Sequence, residues 1–381
     1  MQITLLLDYT NTRITGGPQG VAYDTVEGFK KNHGRLEKED MHLHIMSTTG
    51  SSFRSVLEKD EQYANITVEY FKSFVPTSIS TDVNYYLHLK KMKDTTDLLH
   101  SHDIAGAVAG SFLRIPTILT LHGITWKEME YYPGFFTRFT FDMSTWRFRY
   151  VSAHIKKLIA ISPYVINEVN QFLGPLIPST EVIENPVSDF FFKQEKKETD
   201  GLILYPANIS PLKNQCALIE ALHEVKKDKI GFHCILPGPI VDYGYYKKLK
   251  ELIRSCSLEK NVIIQGNASF EQMLTLYSEA SVLVITSYQE TAPLIISEAM
   301  ATGTPVIASR VSGIPYMVSD GNSGLLIDPH KPAEIADKLR IMLTDTAFRK
   351  KCGVESRRIA ESRWKSEGIT NKLLDLYLQQ G

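Results

Sequence analysis

Short apolar runs alternate along this chain with longer stretches whose apolar positions recur every three or four residues, the signatures of buried strands and amphipathic helices. Runs at 3–7, 42–46, 66–70, 98–100, 117–121, 157–161 and 180–183 predict strands in the first half. A second series restarts at 202–206 and continues at 231–236, 262–265, 282–286, 306–308 and 324–327. Helical patterns fall between them, for example at 21–31, 216–226, 246–254, 270–279 and 292–302. A run with no polar alternation, such as Val282-Leu-Val-Ile285, belongs in a parallel sheet covered on both faces. Two β/α series therefore predict an α/β chain of two Rossmann-like, doubly wound parallel-sheet domains. The Lys/Glu-rich stretch 185–201 reads as a solvated linker, which places one domain at 1–190 and the next at 191–363. An amphipathic segment at 364–381 closes the chain.

Composition narrows the picture only slightly. The 381 residues suffice for two ordinary domains, and a net charge of -1 gives no general attraction for nucleic acid. No apolar run reaches the length of a membrane-spanning helix, and the N-terminus enters a strand without the basic region of a signal peptide. Cys216, Cys234, Cys256 and Cys352 lack C-x-x-C spacing, which fits reduced thiols in a cytoplasmic protein better than a disulfide framework or a zinc site.

The chemistry concentrates around 286–308. Glu290 follows the strand at 282–286 and so stands where open α/β sheets bind ligands. Glu298 lies two turns into the next helix, able to face the same crevice, and Gly303-Thr304-Pro305 ends that helix. Between the two glutamates, Thr291, Ala292, Pro293 and Leu294 lead into a helix N-terminus, whose free N–H groups make an anion site. A carboxylate for sugar hydroxyls, amides for a diphosphate and a second carboxylate for ribose together suit a nucleotide sugar. Elsewhere, Gly16-Gly17 after the first strand lets backbone approach a ligand. His122 ends the strand at 117–121. His100 and His102, alternate residues with rings on one face, read as structural or lining groups rather than a metal pair. Aromatic and basic residues interleave over 126–150, a pattern that suits a peripheral membrane contact as well as packing into the first domain.

The Glu290/Glu298 spacing with its Gly-Thr-Pro exit resembles the E-x7-E motif of retaining GT-B glycosyltransferases of family 4. The likeness runs nearly end to end, most densely over 180–330. It implies two Rossmann-like domains facing a central cleft, with the segment 364–381 returning to the first domain. It also implies transfer of a sugar, with retention, from a UDP- or GDP-linked donor to a hydroxyl of a glycan, lipid-linked or small-molecule acceptor. Neither a metal nor another cofactor is expected. Carried over residue by residue, the resemblance makes His122, Lys213 and Glu290 catalytic. It assigns donor contacts to Gly16, Gly17, Asn208, Lys213, Asn267, Thr291, Ala292, Pro293, Leu294 and Glu298, Asn267 lying in the loop that holds the base. The family pairs an Arg with the Lys five residues later at the diphosphate. Here Asn208 stands in the place of that Arg, which removes one cation and a bidentate phosphate fork. Arg13 or Arg310 could supply the missing charge. A sugar-nucleotide epimerase and a non-catalytic sugar-nucleotide binder share the architecture and stay open.

Overall fold

A computed structural model describes residues 1–13, 17–47, 56–59, 63–70, 78–131, 135–174 and 178–380. The chain forms two compact units, Met1–Pro186 with Ser366–Gly381, and Val187–Lys365. We call them unit 1 and unit 2.

Unit 1 is built on β1 (Gln2–Leu6), β2 (His42–Ser47), β3 (Val56–Lys59), β4 (Ile66–Tyr70), β5 (Leu98–Ser101), β6 (Thr117–Leu121), β7 (Lys157–Ala160) and β8 (Thr180–Val182). Their order in the sheet is β3-β4-β2-β1-β5-β6-β7-β8. All neighbours pair in parallel except β3, which runs antiparallel to β4 at the edge. The sequence pattern did not foretell β3, because Val-Leu-Glu-Lys offers a single apolar pair and no alternation. The central strands are buried on both faces, as their continuous apolar character requires. The C-terminal helix Ser366–Gln380 lies against the helix Gly17–Lys31. A Cβ on residue 28 would stand 2.6 Å from the Ser366 carbonyl oxygen, so this close approach depends on Gly28. Asn32 Nδ2 fastens the same contact by donating to Thr370 Oγ1 at 2.8 Å.

Unit 2 carries β9 (Leu202–Leu204), β10 (His233–Pro237), β11 (Val262–Gly266), β12 (Val282–Ile285), β13 (Val306–Ser309) and β14 (Gly324–Ile327). They form one parallel sheet in the order β11-β10-β9-β12-β13-β14. β9 is shorter than its apolar run because Pro206 has no N–H to give to a ladder. Helix Tyr243–Ser255 begins before its periodic positions do, since the Asp242 carboxylate accepts from the Tyr245 N–H at 2.8 Å and caps it there. Val282 to Ile285 are wholly buried. The strand order reverses direction between β9 and β12, and the loops that follow these two strands set up the site.

Candidate active site

β9 leads into the loop 205–214 and then the helix Gln215–Lys227; β12 leads into the loop 286–293 and then the helix Leu294–Ala301. The two strands are hydrogen-bonded neighbours, pairing Val282 with Ile203 and Leu283 with Leu204. Both loops thus leave the carboxyl ends of adjacent strands at a topological switch point, the place where ligands bind in such sheets. Lys213 and Glu290, separated by 77 positions in sequence, meet there with Nζ 2.6 Å from Oε1.

The pair is held from below. Ser287 Oγ donates to the same Glu290 oxygen at 2.7 Å, and the Tyr205 hydroxyl lies 3.1 Å from Ser287 Oγ while donating to the Lys213 carbonyl. Bonds to main-chain carbonyls lock loop to loop: the Tyr288 N–H donates to the Leu212 carbonyl at 2.9 Å, and Thr286 Oγ1 donates to the Asn214 carbonyl at 2.8 Å. Asn214 sits in the left-handed region at φ 51° and turns the chain into its helix. Burial pushes the Tyr205 phenol up to about 12, so it stays a neutral donor. On the other side of Glu290, its carbonyl accepts the Gly313 N–H at 2.9 Å. A Cβ at residue 313 would stand 1.7 Å from the Thr291 carbonyl oxygen, so glycine alone permits this approach.

Thr291 is buried; Ala292, Pro293 and Leu294 are half-buried and lead into the helix Leu294–Ala301, where the Ile296 amide donates to the Pro293 carbonyl at 3.1 Å and the amides of Leu294 and Ile295 come first in the turn. Glu298 lies in that helix at only 4% exposure, and its Oε2 accepts from the Tyr277 hydroxyl at 2.8 Å. The structure therefore brings Lys213 and Glu290 together and sets Glu298 against Tyr277. Asn208 is exposed after β9, its carbonyl accepting from Gln215 Nε2 at 2.8 Å, and Asn267 is exposed after β11 at the sheet's edge. Each arginine suggested to replace the missing cation has a carboxylate partner. Arg13 is buried in a two-point pair with Asp24, both contacts at 2.9 Å, and Arg310 pairs with Asp320 at 2.6 Å. Arg13, matched to a carboxylate fork, gains little by moving to a phosphate, whereas Arg310 makes one contact and is exposed.

In unit 1, His122 follows β6 and is half-buried. Its Nε2 lies 2.9 Å from His102 Nδ1, and the rings of His100 and His102 are 4.6 Å apart. His100 is fully buried, with Nδ1 2.6 Å from the Tyr377 hydroxyl and Nε2 2.7 Å from Thr120 Oγ1. Burial drives the His100 ring down to about 3 and His122 to about 4, the latter opposed by a hydrogen bond to Asn185. His102 is likewise held well below the ordinary range, by burial first and then by its two histidine neighbours. All three imidazoles are therefore neutral near pH 7. A pocket of about 220 Å³ opens beside them, lined by His102, His122, Thr120, Thr125, Ser144 and Arg147 among others. Arg147 is engaged by Asp82 at 2.6 Å. Gly17 starts the helix Gly17–Lys31 at φ 63°, while Gly16 lies outside the described residues. Among the described residues, no group of three His, Cys, Asp or Glu is placed to hold a metal ion.

Sequence reasoning missed Tyr205, Ser287, Tyr277, Ser144 and Arg147. Tyr205 and Ser287 directly follow β9 and strand-end Thr286, so their position was available as a signal. Arg147 belongs to the aromatic and basic stretch 126–150 noted above, and Ser144 carried no signal.

These two sheets, parallel but for the edge strand β3 and joined in this order, define a GT-B fold, and the comparisons agree. Sucrose-phosphate synthase from Thermosynechococcus elongatus superposes with a TM-score of 0.77 at 19% identity, covering 99% of this chain and 98% of that one. HepE from Anabaena, in a crystal structure with UDP-glucose, superposes with a TM-score of 0.73 at 20% identity over 100% of both chains. The Glycosyltransferase Family 4 model matches residues 34–189 and the Glycosyl transferases group 1 model matches residues 187–359. An uncharacterized glycosyltransferase of Methanocaldococcus jannaschii is 27% identical over 325 residues, 83% of this chain and 84% of that protein. A D-inositol 3-phosphate glycosyltransferase of Corynebacterium efficiens is 30% identical over 158 residues, 41% of this chain and 37% of its own length. The chain belongs to the group 1 glycosyltransferases of the family 4 type and is a sugar-transferring enzyme.

Proposed function

We propose that this enzyme transfers a sugar, with retention of anomeric configuration, from a nucleoside diphosphate sugar held by unit 2 to a hydroxyl of an acceptor received beside His122. The observation that carries the reading is the Lys213–Glu290 pair at the β9/β12 switch point, next to the amides that open the helix Leu294–Ala301. Lys213 and these amides supply positive potential where the departing diphosphate gathers negative charge. Glu290, its carboxylate set by Ser287, is assigned to the hydroxyls of the transferred sugar. Thr291 to Leu294 line the path of the diphosphate, Asn208 stands beside it as a neutral group, and Asn267 borders the base. Glu298 is assigned to the ribose; its bond from Tyr277 uses one carboxylate oxygen.

In the reaction, the acceptor oxygen bonds to the anomeric carbon on the face from which the diphosphate leaves. The carbon–oxygen bond to the diphosphate breaks with its electron pair, and the acceptor proton passes to a diphosphate oxygen. The products are a glycoside and a nucleoside diphosphate. This reading asks for no metal, because Lys213 and the helix amides meet the charge. Neutral His122 suits contact with an uncharged hydroxyl better than with a phosphate.

The test is turnover of a panel of UDP- and GDP-sugars with hydroxyl acceptors, the product's anomeric configuration read by NMR. Glycoside of the donor's own configuration, formed in the presence of chelator, is expected. An inverted product, or conversion of donor alone into an epimer, would overturn the reading.

A further inference from the structure

We propose that the outward face of three helices of unit 1, Ser78–Met92, Ile104–Leu113 and Phe135–Ser152, docks on an anionic lipid bilayer. Single exposed apolar residues are ordinary, but a contiguous set is not. Here Val83 is 53% exposed, Leu87 50%, Phe112 64%, Phe139 54% and Trp146 64%. The first helix packs on the second and the second on the third. The Phe112 and Trp146 rings both stack on Tyr150, at 5.4 and 6.3 Å between centroids. The Arg147–Asp82 ion pair at 2.6 Å ties the third helix back to the first, one residue from Val83. Phe139 and Trp146 are seven positions, about two turns, apart and so share a face.

The aromatic residues of 126–150 divide between two environments. Trp126 stacks inward on Phe172 and Phe148, at 4.2 and 5.5 Å, whereas Phe139 and Trp146 turn outward. Among the described residues, Phe112 and Trp146 stack on Tyr150 and still stand 64% exposed.

Charge selects the occupant. Arg147 is matched by Asp82 and Arg149 lies over the Phe172 ring, which leaves Lys90, Lys91 and Arg138 against Asp142 on these helices, in a chain whose net charge is -1. Indole and phenyl rings beside these three cations match the headgroup region of an anionic membrane, where each nearby cation adds to binding. The third helix also turns Ser144 and Arg147 to the pocket beside His122. One helix thus borders both the docking face and the acceptor pocket, which makes a lipid-linked hydroxyl the acceptor. That last step rests on the proposed function; the docking itself does not.

Flotation of the full chain with vesicles separates the two. Wild type should float with phosphatidylcholine vesicles containing about 30 mol % phosphatidylglycerol, and several-fold less with pure phosphatidylcholine or in high salt. The double variant Phe139→Ser/Trp146→Ser, with its fold checked by thermal melting, should lose about tenfold or more of this binding. Lys90→Gln/Lys91→Gln/Arg138→Gln should lose the advantage of the anionic lipid and keep the residual binding to phosphatidylcholine. Lys213→Ala should float as wild type does, whatever its turnover. Failure of wild type to float with anionic vesicles overturns the proposal, and so does undiminished flotation of both surface variants. Self-association without vesicles that the double variant abolishes would give the face to a second copy of the chain and overturn it too.

Discussion

In unit 2 the groups that converge at the strand ends are charged, Lys213 and Glu290 at 2.6 Å, on loops cross-braced by Tyr205, Ser287 and Thr286. In unit 1 the corresponding ends gather three imidazoles that burial keeps neutral, beside hydroxyls and an arginine already matched by Asp82. A diphosphate needs full positive charge and a preset amide array. An acceptor hydroxyl needs neutral donors and acceptors, and a stray charge there would favour the wrong ligand. The fold is used twice, with an ion pair at the strand ends of one unit and neutral imidazoles at those of the other.

The sharpest way to break this contrast is to remove the one cation of the β9 loop. With Asn208 in place of a second, Lys213→Ala should cost about 2–4 kcal/mol of transition-state stabilisation, a hundredfold or more in kcat/KM. Steady-state kinetics with the preferred donor decides it, and a variant keeping a third of wild-type activity would sink the assignment.

Acid should strike unit 1 first. His100 is neutral in the folded state down to about pH 3, whereas an unfolded imidazole takes a proton below about 6.5. Its folded pKa is lowered, so the unfolded state binds more protons between those values. Stability is therefore complete above about 6.5 and falls as pH drops, by about 2 kcal/mol at pH 5 for this one ring. Urea unfolding of wild type and His100→Gln from pH 7 to 5 should show a shallower loss in the variant. Parallel pH dependences would mean that the histidines do not set the acid limit.

A smaller effect separates the two glutamates. Tyr277→Phe removes the hydroxyl that donates to Glu298 and should destabilise unit 2 by about 1–3 kcal/mol, because it leaves a buried carboxylate short of a donor. Glu290→Gln should instead leave the melting temperature close to wild type and lower turnover. Interchanged outcomes, read from thermal melts and kinetics side by side, would reverse the roles of the two carboxylates.

The smallest effect is a gain. Asn208→Arg should tighten nucleoside diphosphate binding by about 1 kcal/mol at low ionic strength, since the exposed side chain follows β9 on the same loop as Lys213. Calorimetric titration at two salt concentrations checks it, and unchanged affinity at low salt places residue 208 away from the phosphates.

Much of unit 2 could be read from the chain, because the features that make its site are local. An apolar run, a Glu, a helix start and a Gly-Thr-Pro exit are contiguous from 282 to 305, and parallel strands buried on both faces announce themselves. What could not be read was the partnership. Nothing in the sequence tells that Lys213 reaches Glu290, or that Tyr277 reaches Glu298, since both contacts depend on which strands become neighbours. Unit 1 was less legible at its site for a related reason. His102, foreseen as a lining residue, follows β5, whereas Ser144 and Arg147 share a helix far along the chain, and nothing in the sequence joins that helix to His102 and His122. The edge strand β3 was missed because four residues paired only at a sheet edge need little apolar character. The two arginines offered as substitutes for Asn208 illustrate the same limit, since sequence distance gave no hint that Asp24 and Asp320 had claimed them.

The division of charge between the units is tested most directly by hydrogen exchange on the whole chain, with and without whichever of UDP and GDP raises its melting temperature. If unit 2 holds the diphosphate, amides of 208–215 and 288–296 should show the largest slowing, and Lys213→Ala should abolish most of it. Unchanged exchange in those segments, with protection instead over 102–105 and 120–147, would put the nucleotide in the neutral pocket and contradict the account.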